Sequence, residues 1–554
     1  MARSIFLALA LLLSLSLQSQ SVYVPQNADY YWLIDRYEIK LGNKKPNLYT
    51  TSKPILRKDV GALTDSMIQI PNSSKSDQFN LNYLRNDNWD LFNDTLNVGL
   101  SNKRLSKTFY GHYNAIYSYQ SKDFTLIANP VVNFEQNTIN KDALYSLNTR
   151  GIELRGMIGK KIGFYTFVTD NQAYVPDYVR ETTDSVGAFP NEGFSKPFRT
   201  KGYDFFSARG YITFNIVKPI AVQFGHDKNF IGNGYRSLML SDYSSKYLFL
   251  KFNTKIWRFN YTNIFAEMTA KVINGNNYNP RKYMAMHHLD FKLAKNFNIG
   301  VFEAIVFNRS DSATGNSGFE LNYLNPVIFY REIESFLGGR DKVQIGADFK
   351  WNFANRFSLY GQIVINEFLF KNIVAQNGWW GNKYAWQIGL KYVDVFGVKN
   401  LDLQLEHNFV RPYMYTDKNP LTNLSNYGQP LAHPLGANFY EFIGIVRYQP
   451  LPRLNISAKA FYITQGRDPA GLNLGSNINK PGYTPENQFN NEVGQGIRTN
   501  ILFANLTVSY QLFHNFYIDV KQTIRRENSS ISNESLIFTT GGIRWNIGQR
   551  LQEF

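Results

Sequence analysis

Histidine, the side chain best suited to proton transfer and metal binding near neutral pH, occurs seven times among the 554 residues. His287 and His288 are adjacent, and adjacent residues of a strand point to opposite faces, so this pair cannot share a metal ion. The sequence has no His-x-x-x-His, Gly-x-Ser-x-Gly or phosphate-binding Gly-x-x-x-x-Gly-Lys motif. His226 is the one candidate for a hydrolytic residue. We therefore expect a protein that is not an enzyme and that holds no metal ion and no cofactor.

Groups that could bind a hydroxyl-rich ligand are concentrated between Phe224 and Asp242. Gly232 and Gly234 allow the chain to reverse tightly there. The hydrogen-bond donors and acceptors around them are Asn229, Asn233, Tyr235, Arg236 and Ser237. This composition predicts either a polar surface that contacts a glycan or a structured loop that folds inward and satisfies its own polar groups.

Two adjacent tryptophans, Trp379 and Trp380, add an aromatic candidate. The apolar face of a sugar ring packs on an indole ring, whose N–H can donate to a hydroxyl group. Alternatively, both rings belong to the aromatic girdle at a membrane surface. With the polar residues above, the predicted glycan-binding set is Asn229, Asn233, Tyr235, Arg236, Ser237, Trp379 and Trp380.

The elements that must position these side chains are short amphipathic strands. Apolar and polar residues alternate from Val343 to Asn352, and the same period of two recurs from Leu401 to Asn408 and from Leu502 to Gln511. A strand places alternating residues on opposite faces, one suited to hydrocarbon and the other to water. Repeated over most of a long chain, this pattern is typical of an all-β fold, a transmembrane antiparallel β-barrel.

The first residues indicate which membrane the barrel enters. Residues 1–21 resemble a secretory signal peptide, with Arg3 before the apolar run 5–17 and small residues near the expected cleavage site. Elsewhere the chain has no run of about 18 apolar residues, so we expect no transmembrane helix. It also has no cysteine, which excludes disulfides and thiolate metal sites. Aromatic residues make up 16% of the chain, as aromatic girdles require. We therefore expect the bacterial outer membrane.

The strands are expected in pairs that meet at tiny turns, for example at Lys160-Lys161 and at Lys295-Asn296, and they number about 18. The connections between pairs are long: 171–204, 227–245, 308–341, 371–384, 411–437 and 465–499. Because outer-membrane barrels keep their short turns in the periplasm, we expect these long loops to be extracellular. A helix that extends through Phe336 is expected to pack over the barrel mouth. Phe554 matches the aromatic residue with which such barrels commonly close their last strand.

Residues 22–105 differ from the rest of the chain. Asp29–Ile39 and Arg57–Met67 each carry apolar residues on one helical face. We expect a small N-terminal helical element packed under or inside the barrel mouth. The predicted division is a signal peptide at 1–21, this element at 22–105 and the barrel at 106–554.

The formal net charge of +16 leaves two interpretations open. Basic residues are spread through turns, loops and polar strand faces without an arm of the nucleic-acid-binding kind, so we expect no nucleic-acid partner. The charge either serves the membrane interface and lumen in general or attracts acidic glycans and lipopolysaccharide phosphates. The expected partners are outer-membrane lipid, lipopolysaccharide and surface polysaccharide.

Several segments together resemble the Wzi-type capsule assembly family of outer-membrane proteins. They are spread in patches over residues 30–410, and the most specific lie within 344–368. The Asn- and Lys-rich style is also similar to the Bacteroidetes version of the family, with its gliding-motility proteins of the RemB kind. The segments are Asp35–Tyr37, Leu56–Val60, Gly232–Ser241, Asn325–Pro326, Gly346–Asp348, Leu359–Gln362 and Asn366–Phe368.

The resemblance implies an outer-membrane barrel with N-terminal helices and a plugged lumen. It also implies a lectin-like role, in which capsular polysaccharide is held at the cell surface without chemistry. Two alternatives stay open. One is an accessory protein for gliding motility or surface secretion that holds other proteins, and the other is a diffusion porin, since about 18 strands could leave an open lumen.

Overall fold

The computed structural model shows a closed antiparallel β-barrel and the segments that fill it. The predicted signal peptide lies almost wholly outside the residues that the structure describes. No helix within those residues is long and apolar enough to cross a membrane. The described residues are 21–26, 28–44, 46–70, 73–92, 98–101, 108–137, 145–271, 280–309, 318–327, 329–338, 341–550 and 552–554.

Eighteen strands form the wall, which confirms the predicted fold class. Each pairs with the strands before and after it, and β18 pairs with β1 to close the barrel. The strands are β1 (Phe124–Asn137), β2 (Ser146–Ile158), β3 (Ile162–Tyr174), β4 (Gly202–Val217), β5 (Ile220–Asp227), β6 (Tyr247–Ile256), β7 (Phe259–Thr269), β8 (Arg281–Ala294), β9 (Phe297–Phe307), β10 (Lys342–Phe353), β11 (Phe357–Glu367), β12 (Lys383–Tyr392), β13 (Leu401–Val410), β14 (Phe439–Leu451), β15 (Leu454–Arg467), β16 (Ile497–Phe513), β17 (Phe516–Asn528) and β18 (Asn533–Trp545).

The alternation of apolar and polar residues along each strand determines which side chains face the lipid. On β17, Ile518 and Val520 are exposed, whereas Asp519 and Lys521 between and beside them are buried. The buried set faces the lumen, where the ammonium group of Lys521 donates to Glu135 of β1 at 2.8 Å. The charged pair Lys521–Glu135 therefore lies inside the barrel, whereas Ile518 and Val520 face outward.

Short turns at one end of the barrel alternate with longer connections at the other, as the sequence predicts, except that β17 and β18 are joined by the short connection 529–532. We refer to these ends as the short-turn end and the long-loop end. The sequence predicts the turn between β6 and β7 at Lys255, and the structure places it two residues later, at Trp257-Arg258. The long connections are 138–145, 175–201, 228–246, 270–280, 308–341, 368–382, 411–438 and 468–496.

Three helices pack together at the short-turn end: α1 (Tyr31–Leu41), α2 (Arg57–Ile68) and α3 (Lys75–Asp87). The sequence predicts the first two. It does not predict α3, which has polar residues in every turn and begins at a cap where the Ser74 hydroxyl accepts the Asp77 N–H at 2.9 Å. Apolar residues of all three helices form one cluster that includes Leu33, Ile34, Tyr37, Val60, Leu63 and Leu84.

Arg36 of α1 connects the helices to the barrel wall through ion pairs. Its guanidinium group lies 3.2 Å from Asp77 of α3 and 2.6 Å from Asp394, and it also pairs with Asp402. The last two carboxylates flank the turn between β12 and β13. One buried cation therefore joins two helices to one turn.

Further contacts of the three helices and their linkers reach turns and strands around the whole barrel. Because they are spread over the circumference, the helical element covers the short-turn end. The contacting pairs are Asp87–Arg155, Asp59–Lys255, Asn47–Lys292, Glu38–Lys350, Asp35–Lys391, Asn80–Gln449 and Tyr83–Asn515.

The docking of the helices is expected to weaken in acid. Burial raises the pKa of Asp77, but the neighbouring Arg36 and Lys40 lower it by more, to about 2. Because an unfolded aspartate has a pKa of about 3.9, the ionised group stabilises the docked state by about 2 kcal/mol above pH 4. That contribution is lost as the pH falls towards 2. Limited proteolysis of the helices at pH 7 and pH 2.5 measures it, and equal protection at both values would contradict it.

Three shorter helices lie in the long connections: α4 (Asp177–Val186), α5 (Tyr330–Phe336) and α6 (Phe370–Val374). Short 3-10 turns occur at Gly42–Lys44, Trp89–Leu91, Leu321–Leu324, Val395–Gly397 and Pro420–Thr422. The short strands outside the main wall are Ser52–Lys53, Phe109–His112, Ala115–Gln120, Lys196–Phe198, Phe230–Ile231, Ser425–Asn426 and Gln429–Pro430.

The expectation that the helix ending at Phe336 packs over the barrel mouth is wrong. Helix α5 packs against the outer face of the wall, where Tyr330 joins Phe265, Ile305 and other outward residues of β7 to β10. The physical reason is an outward-facing carboxylate, Glu303, which accepts the first N–H groups of the helix at 2.9 and 3.0 Å. Covering this charge is more favourable than leaving it on the apolar face.

Residues 546–550 and 552–554 follow the last strand and turn into the lumen, and we name them the inner segment. Ile547 is buried beside Tyr23, Leu56 and Tyr165. The sequence predicts that Phe554 closes the last strand, but Phe554 lies nine residues beyond the end of β18 at Trp545. Its ring contacts Tyr178 at 5.7 Å between ring centroids, inside the barrel. The aromatic residue at the end of β18 is Trp545.

Candidate functional site

The connection between β5 and β6 folds into the lumen, and we refer to residues 228–246 as the lumenal loop. Phe230 and Ile231 pair antiparallel with Lys53 and Ser52 from the N-terminal region. Beyond this pairing, the loop's buried apolar residues join inward-facing side chains of β7 to β11, and this core includes Leu238, Met239, Leu240, Ile264, Met284, Phe302 and Val364. The loop is therefore held both by the N-terminal region and by the inner face of the barrel wall.

Glu406, on the lumen face of β13, holds the tip of the lumenal loop. Its carboxylate accepts the N–H groups of Tyr235 and Arg236 at 2.7 and 3.0 Å. It also accepts the Tyr360 hydroxyl at 2.8 Å. A Cβ atom on Gly234 would lie 2.5 Å from this carboxylate and 2.8 Å from the backbone carbonyl oxygen of Arg236, so glycine permits the close approach.

Ser237 and the wall residue Gln362 fix the next turn of the loop. The Ser237 hydroxyl accepts the N–H of Met239 at 3.1 Å. The Gln362 amide accepts the N–H of Leu238 at 2.9 Å and donates to the Ile231 carbonyl at 3.1 Å. These bonds satisfy backbone groups that would otherwise be buried without partners.

The two asparagines are also engaged inside the barrel. The Asn229 side chain accepts from the ammonium group of Lys251 at 3.2 Å. The Asn233 side chain accepts from the Thr51 hydroxyl at 3.3 Å, and its carbonyl accepts from Lys391 at 2.8 Å. The structure thus brings all five predicted polar residues together in one loop, where contacts with the barrel and the N-terminal region fit the inward-folding interpretation.

Trp379 and Trp380 lie in a separate cluster at the long-loop end. The indole N–H of Trp380 donates to Gln488 at 2.9 Å, and its ring packs edge-on against Tyr483 at 5.2 Å. The ammonium group of Lys383 lies 4.7 Å from both ring centroids. Trp380 is therefore buried, whereas Trp379 is half-buried.

Two cavities lie within the barrel beside the lumenal loop. The larger, of about 420 Å³, borders α1 and the lumen faces of β12 to β16. The smaller, of about 280 Å³, borders the inner segment and the connections 175–201 and 228–246. Tyr235 and Lys459 line both of them and stand at the boundary.

The inner segment supplies a site residue that the sequence analysis missed. The carboxylate of Glu553 accepts from the ammonium group of Lys459 at 2.9 Å and from the Tyr235 hydroxyl. Arg236 donates to the Glu553 carbonyl at 2.5 Å. No local pattern marks Glu553, because its partners lie about 90 to 320 residues away in the chain. The one signal in the sequence is the short, mainly polar stretch that follows the end of β18, where the alternation of apolar and polar residues stops.

His226, the hydrolytic candidate, lies on the outward-facing side of β5 next to the exposed Phe224. The side chain of Asp227 is buried on the opposite face, so these two neighbours do not converge. Within the described residues, no group of three or more histidines and carboxylates could hold a metal ion. What this site can do is bind ligands through hydrogen bonds, charge and aromatic contact.

Comparison with solved structures finds outer-membrane barrels. The chain is similar to Wzi, an outer-membrane protein involved in group 1 capsule assembly in Escherichia coli and described as a carbohydrate-binding β-barrel. Their identity is 12% and the TM-score is 0.56, over 95% of this chain and 100% of Wzi. It is also similar to OprD from Pseudomonas aeruginosa, at 10% identity and a TM-score of 0.43, over 80% of this chain and 98% of OprD.

No family model and no curated protein sequence matches the chain. At 12% identity the similarity to Wzi establishes a shared fold. The predicted likeness to the Bacteroidetes members and to RemB stays a prediction.

Proposed function

We propose that this barrel binds a surface polysaccharide and holds it at the outer face of the outer membrane, without chemical change to the polymer. The observation that carries the proposal is the shared fold with Wzi, which extends over 95% of this chain and all of that one. Wzi is itself a carbohydrate-binding barrel, so the same architecture suits the same task here.

The filled lumen supports an anchor over a diffusion porin. A porin needs a continuous water-filled path through the lumen, from one end of the barrel to the other. Here the helical element covers the short-turn end, and the lumenal loop and inner segment occupy the middle. The described residues leave spaces of about 420 and 280 Å³ beside these segments. We expect the purified protein to show no conductance steps in planar bilayers.

In this proposal the long-loop end faces the outside of the cell. The half-buried ring of Trp379 would then be the aromatic platform for a sugar, and Trp380 would hold that platform in place through Gln488 and Tyr483. The five polar residues of the lumenal loop remain candidate glycan contacts, and Tyr235 and Arg236, which border the smaller cavity, are the strongest of them.

The test is deletion of the gene, followed by measurement of cell-bound and medium-released polysaccharide. We expect the polymer to be made at its normal level but shed into the medium. A strain with Trp379→Ala should shed part of it, and a matched strain with Trp257→Ala, an exposed ring at the opposite end, should retain it. Normal retention in the deletion strain would overturn the proposal. Loss of spreading motility with normal retention would instead favour the accessory role in gliding motility or secretion.

A further inference from the structure

The smaller cavity, of about 280 Å³, carries an excess of positive charge. Its walls hold six cationic side chains and three carboxylates. A buried concavity with such an imbalance attracts anions, because the low-dielectric wall screens the charges poorly. The cations are Arg209, Lys228, Arg236, Lys246, Lys459 and Arg550, and the carboxylates are Glu192, Asp242 and Glu553.

Glu553 shows how a carboxylate is recognised at the edge of this cavity. One carboxylate oxygen accepts from Lys459 at 2.9 Å, and the other accepts from the Tyr235 hydroxyl. The guanidinium group of Arg236 lies 3.9 Å from the second oxygen. Each oxygen therefore has its own donor and a cation nearby, which is the arrangement of strong charge-assisted hydrogen bonds. The buried Nε of Arg236 has no hydrogen-bond partner among the described residues, so one donor is spare.

The rest of the inner segment is held without the Glu553 side chain. Gln549 donates to Ser509 at 3.2 Å, and Arg550 pairs with Glu192 at 3.1 Å. The carbonyl of Gln552 accepts from the Tyr178 hydroxyl at 2.8 Å. The carboxylate of Glu553 can therefore leave its site while the segment stays anchored.

We propose that Tyr235, Arg236 and Lys459 form a binding site for the carboxylate of an acidic sugar, and that Glu553 occupies it as an internal competitor. The inference rests on the proposed function and specifies its ligand as a uronic acid residue of the polysaccharide. A uronate carboxylate has the planar shape and charge of the Glu553 side chain. The volume of the cavity is close to the lower limit for ligand-binding pockets, which is about 300 Å³. It therefore suits one or two sugar residues, and the rest of the polymer would lie outside the cavity.

The experiment measures binding of an oligosaccharide of glucuronic acid and glucose to the full chain in detergent micelles by calorimetry. The matched probe is the same oligosaccharide with its carboxyl groups reduced to alcohols. We expect Glu553→Ala to raise the affinity for the acidic probe by about tenfold or more, because the competitor is gone. The reduced probe should not respond, and Lys459→Met in the same chain should abolish the gain.

The control is Glu534→Ala, which removes an exposed carboxylate from β18 and should leave both affinities unchanged. Circular dichroism confirms that each variant is folded. An unchanged affinity in the folded Glu553→Ala protein would overturn the inference, as would an equal gain for the reduced probe. The cell-retention assay decides the proposed function separately, since shedding on gene deletion together with no gain in Glu553→Ala would remove only the uronate site.

Discussion

Replacing Arg36 by methionine is expected to release the helical element from the short-turn end of the barrel. The guanidinium group neutralises Asp77, Asp394 and Asp402 in one buried position. Methionine keeps much of the volume but leaves three carboxylates facing one another, with Lys40 paired to two of them. Breaking a buried charge cluster by removing one partner costs about 3–5 kcal/mol.

The measurement is hydrogen exchange of α1 to α3 together with bilayer conductance of the purified protein. We expect faster exchange in all three helices of the Arg36→Met protein, and conductance events that the unaltered protein lacks. The matched control is Arg85→Met in α3, whose guanidinium group lies 4.0 Å from the exposed Asp65. A pair of that kind contributes about 0–1 kcal/mol. Equal exchange in the two variants would contradict the role of Arg36.

Replacing Glu406 by alanine is expected to free the tip of the lumenal loop. The carboxylate accepts two backbone N–H groups of the loop and the Tyr360 hydroxyl. Its removal leaves these buried donors without an acceptor, at about 1–3 kcal/mol for each group. Two of these donors belong to the loop, so we expect the segment from Phe230 to Leu238 to lose about 2–6 kcal/mol of protection against local opening.

Hydrogen exchange of the loop amides measures this effect, and Glu406→Gln provides the graded comparison. Glutamine keeps one acceptor oxygen and the shape of the side chain, so its effect should be smaller than that of alanine. If the loop amides exchange equally slowly in both variants, pairing with the N-terminal strand and apolar packing hold the loop without Glu406. A large effect on the helices at the short-turn end, which Glu406 does not contact, would also contradict the assignment.

The wall of the barrel could be predicted because its signals are local. A period of two with tiny turns marks each strand pair, and neighbouring strands in the sequence are neighbours in the wall. The count of 18 strands and the alternation of short turns with long connections follow from that. Helices α1 and α2 could be predicted for the same reason, since each carries its own apolar face.

The contents of the lumen could not be predicted in the same way. Helix α3 has a weak apolar face and depends on contacts with Gln449 and Asn515 of distant turns. The sequence located the polar residues of the lumenal loop but left open whether they satisfy one another or meet a ligand. Glu406 and Glu553 looked like ordinary polar positions, because their partners become neighbours through closure of the barrel.

The position of the inner segment constrains the order in which this protein can assemble. The inner segment leaves β18 at the short-turn end and runs into the lumen, and Ile547 packs there against Tyr23 and Leu56 from the chain around the helices. The helical element covers the same end. Because the docked helices cover this opening, we expect the inner segment to enter the lumen before the three helices dock. A chain arrested after strand pairing would therefore be an open barrel in which the inner segment and the helices are both undocked. Docking of the helices would then be the step that closes the short-turn end.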